Sequence, residues 1–199
     1  MRAAADRVWF DTANVIMVAG LLPPGGAAVI VPATGWSVAE LISHLALTQD
    51  RQAEAIEGAI TGQPLAALFE CAALPPATDS LAEALVALLA SRDRMFAALE
   101  RVKLGPGGQP SGGRGLTETA LAWTEHYADH ALDFTDAVPA LRDDALVLNW
   151  VLWERKSTSP ATRARQDALF ELVKDRLAQP PEEESNRKRN LAKRLVRKK

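Results

Sequence analysis

Apolar residues recur every three to four positions over long stretches of this chain, the spacing that places them on one face of an α-helix. Segments rich in proline and glycine separate these stretches, as is typical of loops. The pattern therefore predicts an all-α protein. Its helical segments are expected at about residues 4–22, 37–60, 80–101, 116–138, 145–153 and 160–177.

Two of the predicted helices begin with a capping box, in which a serine caps the first turn and a glutamate three residues later bonds back to it. The first is formed by Ser37 and Glu40, and the second by Ser80 and Glu83. The first box places His44 in the second turn of its helix, on the same face as the apolar stripe. We therefore expect the His44 side chain to point inward.

Composition agrees with a helical fold and predicts one domain with a tail. Hydrophobic residues make up 48% of the 199 residues, alanine and leucine dominate, and β-branched residues are sparse. We assign residues 1–179 to a helical domain and residues 180–199, which follow a proline pair, to a charged and mostly basic tail. Residues 182–199 contain three glutamates and eight lysines or arginines, a charge of +5, which leaves −7 on the rest of a chain of net charge −2. The acidic body disfavours binding of nucleic acid, so only the basic tail could attract it.

Several classes of protein are disfavoured by what the sequence contains. No apolar run approaches the roughly 18 residues of a membrane span, and the single cysteine, Cys71, cannot form an internal disulfide. We therefore expect a soluble, cytoplasmic protein. The glycine-rich stretch Gly105–Gly115 is expected to be a loop or lid, but it lacks the Lys-Ser/Thr ending of a phosphate-binding loop.

The chain has three histidines, and all of them fall on predicted inward faces of helices. His126 and His130 are four residues apart and so share one face of a helix, while His44 lies on another helix. Neutral imidazole is the commonest side-chain ligand of divalent transition metals. Three such ligands leave a position open for water or substrate, as in catalytic sites. The same pattern also fits a chance histidine pair and a separate core histidine.

Two carboxylates accompany the histidine pair at helical spacing. Asp129 follows His126 by three residues, and Asp133 follows His130 by three. Either carboxylate could orient an imidazole through its second nitrogen, serve as a fourth ligand or move a proton. We take both as candidate catalytic residues.

The segment from Gly35 to Ala46, Gly-Trp-Ser-Val-Ala-Glu-Leu-Ile-Ser-His-Leu-Ala, resembles the Gly-Trp-Ser/Thr-Val…His-Leu-Ala signature of the DinB-like superfamily. This superfamily includes the YfiT-like proteins and the mycothiol-dependent maleylpyruvate isomerases. The resemblance extends over about residues 4–138. It implies a four-helix bundle, here with additional C-terminal helices and the basic tail. It also implies a divalent metal (Zn, Ni, Fe or Mn) held by His44, His126 and His130.

The resemblance also suggests an activity. In the mycothiol branch an aspartate follows the last histidine by three residues, the place of Asp133, but the first member of the pair is usually glutamate instead of His126. We expect a metal-dependent enzyme acting on a small molecule, most often as a thiol S-transferase with a low-molecular-weight thiol, or as an isomerase or hydrolase. A homodimer is a further expectation. The alternative is a non-catalytic helical interaction protein that associates through its basic tail or the segment Trp150–Trp153.

Overall fold

The structure is a computed structural model that describes residues 2–61, 74–102, 114–154 and 159–177. The described part contains six α-helices, which confirms the all-α prediction. They are α1 (Arg2–Leu21), α2 (Val38–Ile60), α3 (Leu81–Arg101), α4 (Arg114–Ala137), α5 (Ala145–Asn149) and α6 (Pro160–Leu177).

Helices α1 to α4 pack against one another as a bundle around a common core, and α6 packs on the outside of α4. Each of the four bundle helices contributes fully buried side chains to this core, among them Val15, Leu41, Leu88 and Phe134. Burial of apolar surface on this scale is the main force holding such helices together. The described residues thus form a four-helix bundle with additional C-terminal helices, the architecture that the resemblance implied.

The short α5 is followed directly by a π-helical turn, Trp150–Glu154. The apolar run in this region is largely inside: Val147, Leu148, Val151 and the ring of Trp150 are buried, while Leu146 is exposed. The indole nitrogen of Trp150 donates a hydrogen bond to the buried Asp11 of α1 at 3.4 Å. This contact ties the C-terminal helices to the first helix of the bundle.

The start of α2 follows the predicted capping box in atomic detail. The Ser37 hydroxyl accepts a hydrogen bond from the Glu40 amide at 3.2 Å, and the Glu40 carboxylate accepts one from the Ser37 amide at 2.6 Å. The preceding turn places Gly35 at φ +75°, a conformation that glycine adopts without strain. This turn fixes the first residue of α2 and with it the direction in which His44 points.

Some positions of the predicted apolar stripes face solvent. Trp9 is 57% exposed and Ile16 lies at the surface of α1, while Val8, Thr12 and Val15 of the same helix are buried. All five recur at the helical spacing from which this helix was predicted, but only the last three are inside. The reason is that α1 carries apolar residues around more of its circumference than its neighbours cover.

Parts of the sequence analysis fall outside the described residues. These are Cys71, most of the stretch Gly105–Gly115 and the whole basic tail. Helix α4 begins at Arg114, so it is two residues longer at its start than predicted. Among the described residues, no helix combines the length and the apolar character needed to span a bilayer.

Candidate metal centre

The three histidines, two of them on α4 and one on α2, meet inside the bundle. One ring nitrogen from each of His44, His126 and His130 lies within 4.8 Å of the corresponding nitrogens of the other two. The ring centroids are 4.5 Å apart for the α4 pair, and His44 lies 5.1 Å from His126 and 5.3 Å from His130. His44 and His130 are buried, and His126 is half-buried. Side chains 82 positions apart in the chain thus converge on one point.

His44 is held in place from two sides. Its Nδ1–H donates a hydrogen bond to the carbonyl oxygen of Leu74 at 2.7 Å. The half-buried Trp36 ring packs against the imidazole, with its centroid 4.8 Å away. Because a carbonyl oxygen can only accept, Nδ1 carries the proton and Nε2 presents its lone pair to the other histidines.

The spacing of one pair of nitrogens, those of His44 and His126, is close to that of two ligands of a tetrahedral ion. The Nε2 atoms of His44 and His126 are 3.1 Å apart. Two imidazoles bound to zinc at about 2.0–2.1 Å, at the tetrahedral angle, have their nitrogens separated by roughly 3.3 Å. In the absence of a metal, the same distance suits a hydrogen bond from His126 Nε2–H to His44. The donor set and its spacing are therefore compatible with a divalent transition metal.

Burial keeps the imidazoles of His44 and His126 neutral. It lowers the pKa of His44 to about 4, against the raising effect of the Leu74 hydrogen bond and with a further lowering by His130. Burial and the two neighbouring histidines lower the pKa of His126 to about 2. Only neutral imidazole binds a metal, so both side chains are in the binding-competent form at neutral pH.

His130 is oriented by a carboxylate. Its Nδ1–H donates a hydrogen bond to Oδ2 of Asp133 at 2.9 Å, and Asp133 is only 4% exposed. Burial alone would raise the pKa of the Asp133 carboxyl, but hydrogen bonds from His130 and Arg165, together with their charges, hold it below its usual range. A carboxylate on the far nitrogen of a ligating histidine fixes its tautomer and ring direction. Of the two candidate carboxylates, Asp133 is the one that contacts an imidazole of the cluster.

Comparison with protein families shows the superfamily to which this bundle belongs. A family model described as the DinB superfamily matches residues 10–133. The chain belongs to the DinB superfamily. No curated protein and no solved structure is significantly similar to it. The matched range includes all three histidines and ends at Asp133, so the three-histidine cluster lies within the part shared with this superfamily.

The other candidate carboxylate, Asp129, lies against α6. Its Oδ1 accepts a hydrogen bond from the hydroxyl of Thr162, in the first turn of that helix. The three-histidine cluster that could hold a metal does not include it. Its observed contact links two helices.

Arg165 is a member of the site that sequence reasoning missed. It lies on α6, beyond the range matched by the DinB superfamily model, and its Nη2 donates to Oδ1 of Asp133 at 2.6 Å. Nothing in the local pattern of α6, which carries several charged residues, distinguishes Arg165 from its neighbours. A carboxylate that must stay charged inside a protein needs a cation nearby, and that requirement is the signal that could have prompted a search for one.

Proposed function

We propose that this DinB superfamily protein is a metal-dependent enzyme that transfers a low-molecular-weight thiol to a small electrophilic molecule. The ion is a divalent transition metal, with His44, His126 and His130 as its ligands. The observation that carries this proposal is the convergence of three ring nitrogens within 4.8 Å at a buried point. Three protein ligands leave a coordination position open, which is the arrangement of catalytic sites.

When bound, such a metal supplies a nucleophile at neutral pH by lowering the pKa of a coordinated thiol or water. The residues of this chain then have separate tasks. His44 and His130 present their Nε2 atoms, because their Nδ1 protons are held by Leu74 and Asp133 respectively. In the reaction, the thiol sulfur would form a bond to the electrophilic carbon while the bond from that carbon to its leaving group breaks, and the thiol proton would depart with the leaving group.

Two features support a thiol over water as the nucleophile. Asp133 stands three residues after the last histidine, as in the mycothiol-dependent branch that the sequence resembles. Zinc and related metals also bind thiolate sulfur readily. In this proposal Asp133 orients His130, and Asp129 holds α6 against α4 through Thr162.

The proposal is tested first by metal analysis. Protein purified without chelator should contain about one equivalent of a divalent metal, and His130→Ala should contain almost none, because a two-histidine site binds far more weakly. Arg101→Ala is the matched control, since Arg101 pairs with Glu57 at an exposed site on α2 and α3. Equal metal content in the wild type and in His130→Ala would refute the site.

The second test distinguishes thiol transfer from hydrolysis. Loaded protein is mixed with several low-molecular-weight thiols and a small electrophile such as a halogenated aromatic compound, and consumption of the thiol is followed. Thiol transfer predicts loss of the free thiol that depends on the metal and on His130. Metal-dependent cleavage of ester substrates without thiol consumption would indicate a hydrolase. A protein that binds metal but turns over none of these compounds would favour a non-catalytic binding protein.

A further inference from the structure

Helix α6 contacts α4 through two matched pairs of side chains. Thr162 donates to Asp129, and three residues later Arg165 donates to Asp133, four residues further along α4. Residues at these spacings lie on one face of a helix. The two pairs therefore set both the rotation and the register of α6 against the helix that carries two of the histidines.

Arg165 uses a single nitrogen to bind two carboxylates. Its Nη2 lies 2.6 Å from Oδ1 of Asp133 and 3.0 Å from Oδ2 of Asp136. The side chain of Asp133 is 4% exposed, whereas that of Asp136 is 46% exposed. The contact with Asp133 is thus made at a buried group that cannot be solvated by water, while the contact with Asp136 lies at the surface.

Both oxygens of the buried carboxylate are used. Oδ1 of Asp133 accepts from Arg165, and Oδ2 accepts from Nδ1–H of His130. The carboxylate is planar, so a hydrogen bond that fixes Oδ1 also fixes Oδ2. Hydrogen bonds therefore connect Arg165 of α6 through Asp133 to Nδ1 of His130, and they fix the direction of the imidazole ring and of its Nε2 atom.

We propose that Arg165 is a positioning residue for the metal centre: it holds the Asp133 carboxylate in the rotamer that aims His130, so that α6 is required for full metal affinity. This inference rests on the proposed metal site, and it extends that site beyond the segment matched by the superfamily model. Loss of an outer partner of a ligating histidine typically weakens metal binding by 10- to 100-fold.

The test measures the dissociation constants of Zn²⁺ and Co²⁺ by competition with a chelator in the full chain. Arg165→Ala should bind both metals about 10- to 100-fold more weakly than the wild type. Arg165→Lys, which keeps the charge but not the geometry of the guanidinium, should fall between the two. There are two matched controls. Asp136→Asn removes the surface partner of Arg165 and leaves the buried one. Arg176→Ala removes the ion pair that another residue of α6 makes with Asp143. Both should bind as the wild type does, within about twofold.

A double-mutant cycle separates positioning from general stability. If Arg165 acts through Asp133, the double variant Asp133→Asn, Arg165→Ala should bind metal no more weakly than Asp133→Asn alone. Additive losses would overturn the proposal. In the metal-free protein, the NMR signal of the His130 Nδ1 proton should also shift or broaden in Arg165→Ala. If this variant does not fold, Arg165→Gln carries the same expectations.

The outcomes distinguish this inference from the function on which it rests. A wild-type protein that binds neither metal would refute the proposed metal site itself. A wild-type protein that binds tightly, with Arg165→Ala and Arg165→Gln binding equally tightly, would leave the metal site intact and refute the role of Arg165. Weaker binding in Arg176→Ala by the same factor would show that α6 acts only through overall stability, and this too would refute it.

Discussion

Helix α2 takes part in two clusters of ionisable side chains that have opposite character. Near its start, His44 meets two histidines of α4 in the interior, and His44 is 1% exposed. In its second half, a surface network joins α2 to Arg94 of α3, whose side chain is 39% exposed. The acidic partners of Arg94 in this network are Asp50, Glu54 and Glu57 of α2.

The difference between the clusters lies in solvation. In the interior, removal from water disfavours the charged form, so His44 and His126 remain neutral and their lone pairs are available to a metal. At the surface, water and salt screen each charge, so the network forms ordinary ion pairs of small net energy. The histidine cluster therefore has chemistry available to it, although the surface network contains more ionisable groups.

The largest expected effect concerns metal-dependent stability. Adding metal at about 1,000 times its dissociation constant should raise the free energy of unfolding of the wild type by about 4 kcal/mol. His44→Ala should lose nearly all of this gain, while Arg94→Ala should keep it. Thermal unfolding with and without added Zn²⁺ measures both. A gain that survives in His44→Ala would mean that the metal binds elsewhere.

The second effect is a pH dependence of the unfolding free energy of the metal-free protein. The folded-state pKa values of His44 and His126 are about 4 and about 2, both below the usual 6.5, so the unfolded chain binds more protons between these limits. Stability should therefore be greatest above pH 6.5 and fall as the pH falls below it, by up to about 1.4 kcal/mol per pH unit for each group. Denaturant unfolding of chelator-treated protein measures the slope. His126→Gln should show a shallower slope, and an unchanged slope would contradict the assignment.

The third prediction compares two helix caps. Ser37→Ala should cost about 1 kcal/mol of unfolding free energy, because it removes the cap of α2. Since His44 lies in the second turn of that helix, the dissociation constant of the metal should also rise a few-fold. At α3 the predicted capping box is only half formed, because the Ser80 hydroxyl accepts from the Glu83 amide but the Glu83 carboxylate accepts from the Thr78 hydroxyl. Ser80→Ala, which removes this cap, should also cost about 1 kcal/mol and leave the metal affinity unchanged. Equal changes in metal affinity in both variants would show that the start of α2 does not position the site.

The helix faces on which the three histidines lie could be predicted from local rules, but the convergence of the three side chains could not. The capping box at Ser37 fixes the register of α2, and the spacing of four fixes the shared face of His126 and His130. Whether α2 and α4 then pack with these faces together depends on contacts among side chains far apart in the sequence. The resemblance to a known family supplied that step.

Neither the local sequence rules nor the family resemblance predicted that α6 contacts the histidine cluster through Arg165 and Asp133. Its range agrees with the helix predicted at 160–177, and at its start the Ser159 hydroxyl accepts from the Thr162 amide at 3.5 Å. Its rotation about its own axis, which decides that Arg165 faces Asp133, is set by packing against α4 and the π-helical turn. Charged residues occur on several sides of α6, so the sequence does not indicate which of them faces inward.

The smallest expected effect is a loss of unfolding free energy when the surface network around Arg94 is disrupted. Arg94→Ala removes contacts of 2.9 Å with Asp50, 3.5 Å with Glu54 and 3.6 Å with Glu57. Because all four side chains are at least 32% exposed, the loss in unfolding free energy should be below about 1 kcal/mol and should shrink further in 1 M salt. Denaturant unfolding at low and high salt measures it. A loss of several kcal/mol that persists in high salt would mean that Arg94 joins α2 and α3 by the packing of its apolar stem and not by its charge. The difference between the histidine cluster and the surface network could then no longer be explained by solvation.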